Sequence, residues 1–177
     1  MAKITPLWMA AQNGHLGVVQ LLLATGKWID TTVSATFNGR TAVEQAREMA
    51  STPKQRGETR DLYDRRTTYS SLCADLLEEF EKDAVEVRRR LRQLPNIRPS
   101  FIGYSFALLI FHSDNFVAVK EHTPSNTKRF FKICGQLPLD LQMVLCNRMF
   151  ASAQNIVLSR DSEPFFQCLA RPTTWSS

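Results

Sequence analysis

The stretch TPLWMAAQNGHLGVVQLLLATGKWID (5–30) constrains the fold more than any other part of the chain. Thr5 offers a side-chain oxygen to cap a helix. Pro6 follows at the first helical position, where its missing N–H is no loss. Leu7, Ala10 and Ala11 then recur at three- and four-residue spacing, and the two alanines let a neighbouring helix come close. Asn13-Gly14 supplies a left-handed stop. Val18, Val19, Leu21, Leu22 and Leu23 fill more than one face of a second helix, which must be covered on most of its surface. Gly26 ends it.

This segment resembles the ankyrin repeat. The family pattern of a T-P-L start, paired alanines, Gly-His, an apolar V-x-x-L-L-L helix and a closing glycine is met by Thr5-Pro6-Leu7, Ala10-Ala11, Gly14-His15, Val18-Val19, Leu21-Leu22-Leu23 and Gly26. Trp8 departs from it: the family has there a histidine that hydrogen-bonds between repeats. A second start, Asn38-Gly39-Arg40-Thr41-Ala42-Val43, follows with Thr41 placed 36 residues after Thr5, against a family period of about 33. Ser51-Thr52-Pro53 and a charged stretch interrupt it, so 51–67 reads as an insertion, an exposed loop with some helix of its own. An apolar helix resumes at 70–83. Apolar residues at 73, 76, 77, 80, 84, 87, 91 and 94 mark one long amphipathic helix, stopped at Pro95.

Composition narrows the function classes. Hydrophobic residues make up 44% and charged residues 22%, which is globular. The four cysteines lack paired C-x-x-C spacing, which argues against a disulfide scaffold and a structural zinc site. The longest apolar run, Phe101 to Phe111, falls short of the roughly 20 residues of a membrane span. The opening residues lead straight into a helix pattern, and an intracellular, cytoplasmic location with reduced thiols is expected. The net charge of +5 is spread along the chain, which argues against a nucleic-acid partner. The one dense cluster, Arg88, Arg89, Arg90 and Arg92, lies at a helix end, where cations complement the helix dipole, and no aromatic platform interleaves with it.

The C-terminal half reads as further helices. FIGYSFALLIF (101–111) is a buried helix, followed by a strand-like piece at Phe116–Val119. KRFFKICGQ (128–136) turns Phe130, Phe131, Ile133 and Cys134 inward. LPLDLQMVLCNRMF (137–150) starts at Pro138 and lays Leu141, Val144, Leu145 and Met149 on one core stripe. Its Leu137-Pro138-Leu139-Asp140-Leu141 opening resembles an F-box helix, which implies a ubiquitin-ligase adaptor if the helix exposes an apolar stripe. Phe165, Phe166 and Leu169 close the core. All four cysteines fall on apolar stripes, as small core residues do. An enzyme would rest on His112, Asp114 and Cys134 converging in one cleft. No G-x-S-x-G elbow, P-loop or H-E-x-x-H motif accompanies them.

The expected architecture is all-α: a short ankyrin helix-pair array at 1–83, with the insertion at 51–67, capped by a helical C-terminal module at 84–177. Two repeats bury too little alone, so the chain reads as a very short array or the C-terminal piece of a longer one. The resemblance implies a non-catalytic scaffold that binds a protein partner, with no cofactor and no metal. Carried onto this chain, the family's contact positions are Ile4, Gln12, Asn13, Arg40, Glu48 and Met49, with Trp28 near the hairpin base. Arg40 stands between the Gly39 turn and the Thr41 helix start and is expected to project from the concave side. Arginine is enriched at binding hot spots.

Overall fold

The structure, a computed structural model, describes residues 4–25, 29–36 and 38–170. Among them every regular element is an α-helix. The chain divides into two compact units, residues 1–91 and 92–177.

In the first unit α1 (Pro6–Gln12) begins as its sequence requires: Thr5 accepts a hydrogen bond from the Trp8 N–H at 3.1 Å, with proline at the first position. Gly14, at φ +63, makes the turn into α2 (Leu16–Ala24), and the two helices pack together. Its missing side chain also matters, because an added Cβ would press to 3.2 Å from the Tyr69 Cβ. α3 (Ala42–Ser51), the helix expected to open a second repeat, packs beside α1. Thr41 and Glu44 form a reciprocal capping box that fixes where α3 starts.

Trp8 joins α1 to the turn that precedes α3. Its side chain is 1% exposed, and its indole N–H donates to the Arg40 carbonyl at 3.1 Å. That carbonyl also accepts from Ala35 N at 2.9 Å, inside the turn that Gly39 closes at φ +69. The position at which the family has a histidine therefore makes a bond from α1 to the turn before α3.

The charged stretch after α3 is more ordered than its composition suggests. α4 (Arg60–Lys82) begins at a Thr59 cap, so the second half of the expected 51–67 insertion is helix. Arg66 gathers the connection around itself. It donates to the carbonyls of Met49 and Thr52 and pairs with Glu58, both side chains being mostly sheltered. The guanidinium holds the Glu58 carboxyl below its ordinary range, so acid weakens this clamp as pH falls through that lowered value. The expected continuous helix to residue 94 breaks at Asp83, whose backbone leaves helical angles and whose carboxylate accepts from Val85 N and Glu86 N. α5 (Ala84–Leu91) starts there and packs on α2 and α4, within the first compact unit.

In the second unit α6 (Arg98–Ser113) packs against α7 (Ser125–Cys134), α8 (Leu139–Met149) and α9 (Ser159–Ala170). Ile102, Phe106, Leu109, Cys134 and Cys146 form its core, with Phe130, Phe131 and Phe166 around them. Gly103 sets the α6–α9 crossing: an added Cβ would collide with the Asp161 carbonyl. Four expectations are corrected here. Residues 116–119 form no strand. Ile133 points outward from α7, and Cys168 is exposed. On α8, Leu141 and Met149 lie outside, because Gln142 and Asn147 take inner positions. Gln142 donates to the carbonyls of Cys134 and Leu137, satisfying the end of α7.

The Trp8 joint gives a direct test. Trp8→Phe keeps most of the buried area and removes only the donor, with an expected loss of about 1 kcal/mol. Trp8→Ala adds a cavity, with an expected loss of about 3–5 kcal/mol. Urea unfolding of both variants checks this, and equal losses would show that the indole N–H contributes nothing.

Candidate functional site

The positions assigned to partner contact lie along α1 and α3. Ile4, exposed, stands just before the Thr5 cap. Gln12, half-buried, and Asn13, exposed, stand at the far end of α1, about 10 Å away along the helix. Asn13 donates to the Met9 carbonyl at 2.8 Å. Arg40, Glu48 and Met49 follow Ile4, Gln12 and Asn13 at the 36-residue spacing, before and within α3. Met49 is half-buried, and its carbonyl is taken by Arg66. Trp28 lies outside the described residues.

Two of these side chains meet. Arg40 forms an ion pair with Glu48, the side chains being 43% and 39% exposed. Since Arg40 precedes α3 and Glu48 lies within it, the guanidinium runs along the helix. The Arg40 backbone is fixed by the Trp8 indole and by the Ala35 amide, and its own N–H donates to Asn38 at 3.2 Å. The site thus has a rigid backbone under a half-exposed charge pair.

Sequence reasoning missed an apolar surface beside these residues. Met9 on α1 and Val18 and Leu21 on α2 are exposed, although α2 was expected to be covered on most of its surface. Its apolar residues on more than one face were the available signal. The place of Met9 is taken in the second repeat by Gln45, which is buried and accepts from Asn38 at 2.9 Å.

Three arginines of the cluster are engaged within the first unit, and Arg92 lies over the Phe101 ring in the second. Arg88 lies 4.9 Å from the Phe80 ring centre, Arg89 pairs with Glu86 and Arg90 with Glu79. His112, Asp114 and Cys134 do not assemble a nucleophile and base. The His112 Nδ1 is 3.0 Å from the Val117 carbonyl, and its ring meets Phe131 edge-on at 5.0 Å. Asp114 caps the end of α6 in the open. Cys134 is buried, and burial pushes its thiol up, away from the thiolate that attacks. Among the described residues no group of three or more His, Cys, Asp or Glu is placed to hold a metal ion. None of the described helices is long and apolar enough to cross a membrane.

Burial also pushes Cys73 up to about 11 and Cys146 up to about 12, against an ordinary 9.0. The folded state therefore favours their neutral thiols. The stability they contribute is complete below pH 9 and is lost as pH rises through those values. Thiol titration at neutral pH should label only Cys168 in the native protein, with Cys73, Cys134 and Cys146 following in denaturant. Rapid native labelling of Cys134 would contradict the packing.

Comparison with known proteins agrees with the geometry of the first unit. Residues 3–33 match the ankyrin repeat family. No curated protein and no solved structure matches the chain. The matched residues cover α1, the Gly14 turn and α2, the elements that Thr5, Pro6 and the paired alanines specify. Residues 3–33 of this chain are an ankyrin-repeat region.

Proposed function

We propose that the first unit is a non-catalytic protein-recognition module, and that its contact face runs through Ile4, Gln12, Asn13, Arg40, Glu48 and Met49. The observation that carries this reading is the Arg40–Glu48 pair, half-exposed on a backbone held by Trp8. A pre-positioned backbone lowers the ordering cost of binding. The pair offers a partner either charge at little expense, because an exposed ion pair contributes only about 0–1 kcal/mol to stability.

Arg40→Ala and Glu48→Ala should each change the unfolding free energy by less than about 1 kcal/mol. Both should weaken the same partner, identified by cross-linking and capture from native lysate. Glu86→Gln, on α5, serves as the control. A partner retained equally by all variants would remove Arg40 and Glu48 from the contact face. A large fall in melting temperature would recast the pair as structural.

A second reading is supported by one observation in the other unit. The F-box-like opening of α8 keeps Leu139 and Leu141 56% and 47% exposed, and Met149 is exposed beyond them. An adaptor that recruits a ubiquitin-ligase scaffold needs such an outward apolar stripe. Leu139→Ala with Leu141→Ala should then abolish co-purification of a ligase scaffold while leaving the fold intact. Unchanged circular dichroism with no scaffold captured by either form would end this reading.

A further inference from the structure

The first half of α4 leaves open a face that the rest of the helix buries. Leu62, Arg65, Tyr69 and Leu72 follow one another at spacings of three, four and three residues, the rhythm of a seam between two packed helices. The next position on that seam, Leu76, is buried by the unit's own fold, and so are Leu77 and Phe80 beyond it. Leu62, Tyr69 and Leu72 are instead 54%, 43% and 43% exposed. Asp64, Arg65, Thr68, Tyr69 and Leu72 line an open groove here.

The polar groups on this face are unspent. The other arginines in the first turns of α4 are engaged: Arg60 pairs with Asp64, and Arg66 pairs with Glu58 and lies 5.4 Å from the Tyr63 ring centre. Among the described residues the exposed Arg65 side chain makes no ion pair, and the Tyr69 ring has no aromatic or cationic neighbour. A free guanidinium and a free aromatic face are complementary to each other.

We infer that the first half of α4 pairs antiparallel with the same segment of a second copy of this chain. A two-fold axis at the level of Thr67 sets Leu62 against the second copy's Leu72 and Arg65 against its Tyr69, and each contact occurs twice. Apolar then meets apolar, and cation meets aromatic ring. A parallel pair would set Arg65 against Arg65 and is opposed by like charge. In the antiparallel register the stretch from Leu76 onward, which each unit covers itself, falls beyond the start of the facing helix. Asp75, which this register brings towards the second copy's Asp61, is already paired with Arg47. An unrelated helix would have to carry the same order of side chains, whereas the chain itself supplies it. None of these residues belongs to the proposed contact face, so the inference stands apart from that reading.

The surface is small and the association correspondingly weak, so the test is sedimentation equilibrium of the full chain from about 10 µM to 1 mM. A monomer–dimer equilibrium within that range is the expected result. Leu62→Asp or Leu72→Asp should weaken it by about tenfold or more, since each buries a charge at two symmetric contacts. Arg65→Ala should weaken it about fivefold, through the loss of two cation–π contacts. Both leucines are exposed in the single chain, so unchanged circular dichroism and melting temperature serve as the fold control. Orientation is read by cross-linking in a Cys168→Ser background, which removes the exposed native thiol. Leu62→Cys mixed with Leu72→Cys should form a disulfide between copies under oxidised glutathione. Neither variant alone should do so, because the antiparallel register holds its two introduced thiols about 15 Å apart. A dimer indifferent to all three substitutions, or ready linking of either cysteine variant to itself, would overturn the proposal. A monomer throughout the range would also overturn it and leave the groove to a helix of another protein.

Discussion

Helices of seven to ten residues do not persist in water by propensity, because nucleation costs more than so few hydrogen bonds return. α1, α2 and α3 are that short, and each exists because a neighbour covers it. Ala10, Ala11, Ala42 and Ala46 make this possible, since buried methyl groups let the backbones of α1 and α3 lie close. The long helix α4 completes the arrangement, its buried residues Ser70, Cys73, Ala74 and Leu77 facing the shorter helices. Arg47 ties α3 to α4 through Asp75 and Glu78, although in the open such pairs add little.

The second unit solves the same problem differently. Its core is rich in aromatic rings, but it buries two amide side chains, Gln142 and Asn147. Each reaches carbonyls that no helix satisfies: Gln142 those at the end of α7, Asn147 that of Ile156 in the following loop. The unit gains loops with a fixed path. The same choice turns leucines outward on α8 and leaves the Asn147 oxygen buried without a partner among the described residues.

How much of this was legible depended on whether the signal was local. The starts of α1 and α3 are written in Thr5-Pro6 and in Thr41 with Glu44, and the Gly14 turn in Asn13-Gly14. The start of α4 was hidden because its first turns are charged and exposed, and they are stabilised by Arg60–Asp64 and by Arg66 reaching back to the preceding loop. The break at Asp83 needs one residue and leaves the apolar spacing unchanged. The inner face of α8 was misread because hydrophobicity alone does not rank a hydrogen-bonded glutamine above an exposed leucine. For the candidate site, the 36-residue register identified Arg40 and Glu48, but their pairing depends on a side-chain path that spacing does not encode.

The indole at position 8 has a consequence for how the two repeats respond to their surroundings. An imidazole at that place changes its proton count near neutrality, and its hydrogen bonds change with it. The Trp8 N–H is a donor only and keeps its proton at every pH a cell experiences. The hydrogen bond between α1 and the Arg40 turn is therefore indifferent to acidity. Acid weakens the Glu58–Arg66 clamp beside α3 but leaves the indole hydrogen bond unchanged.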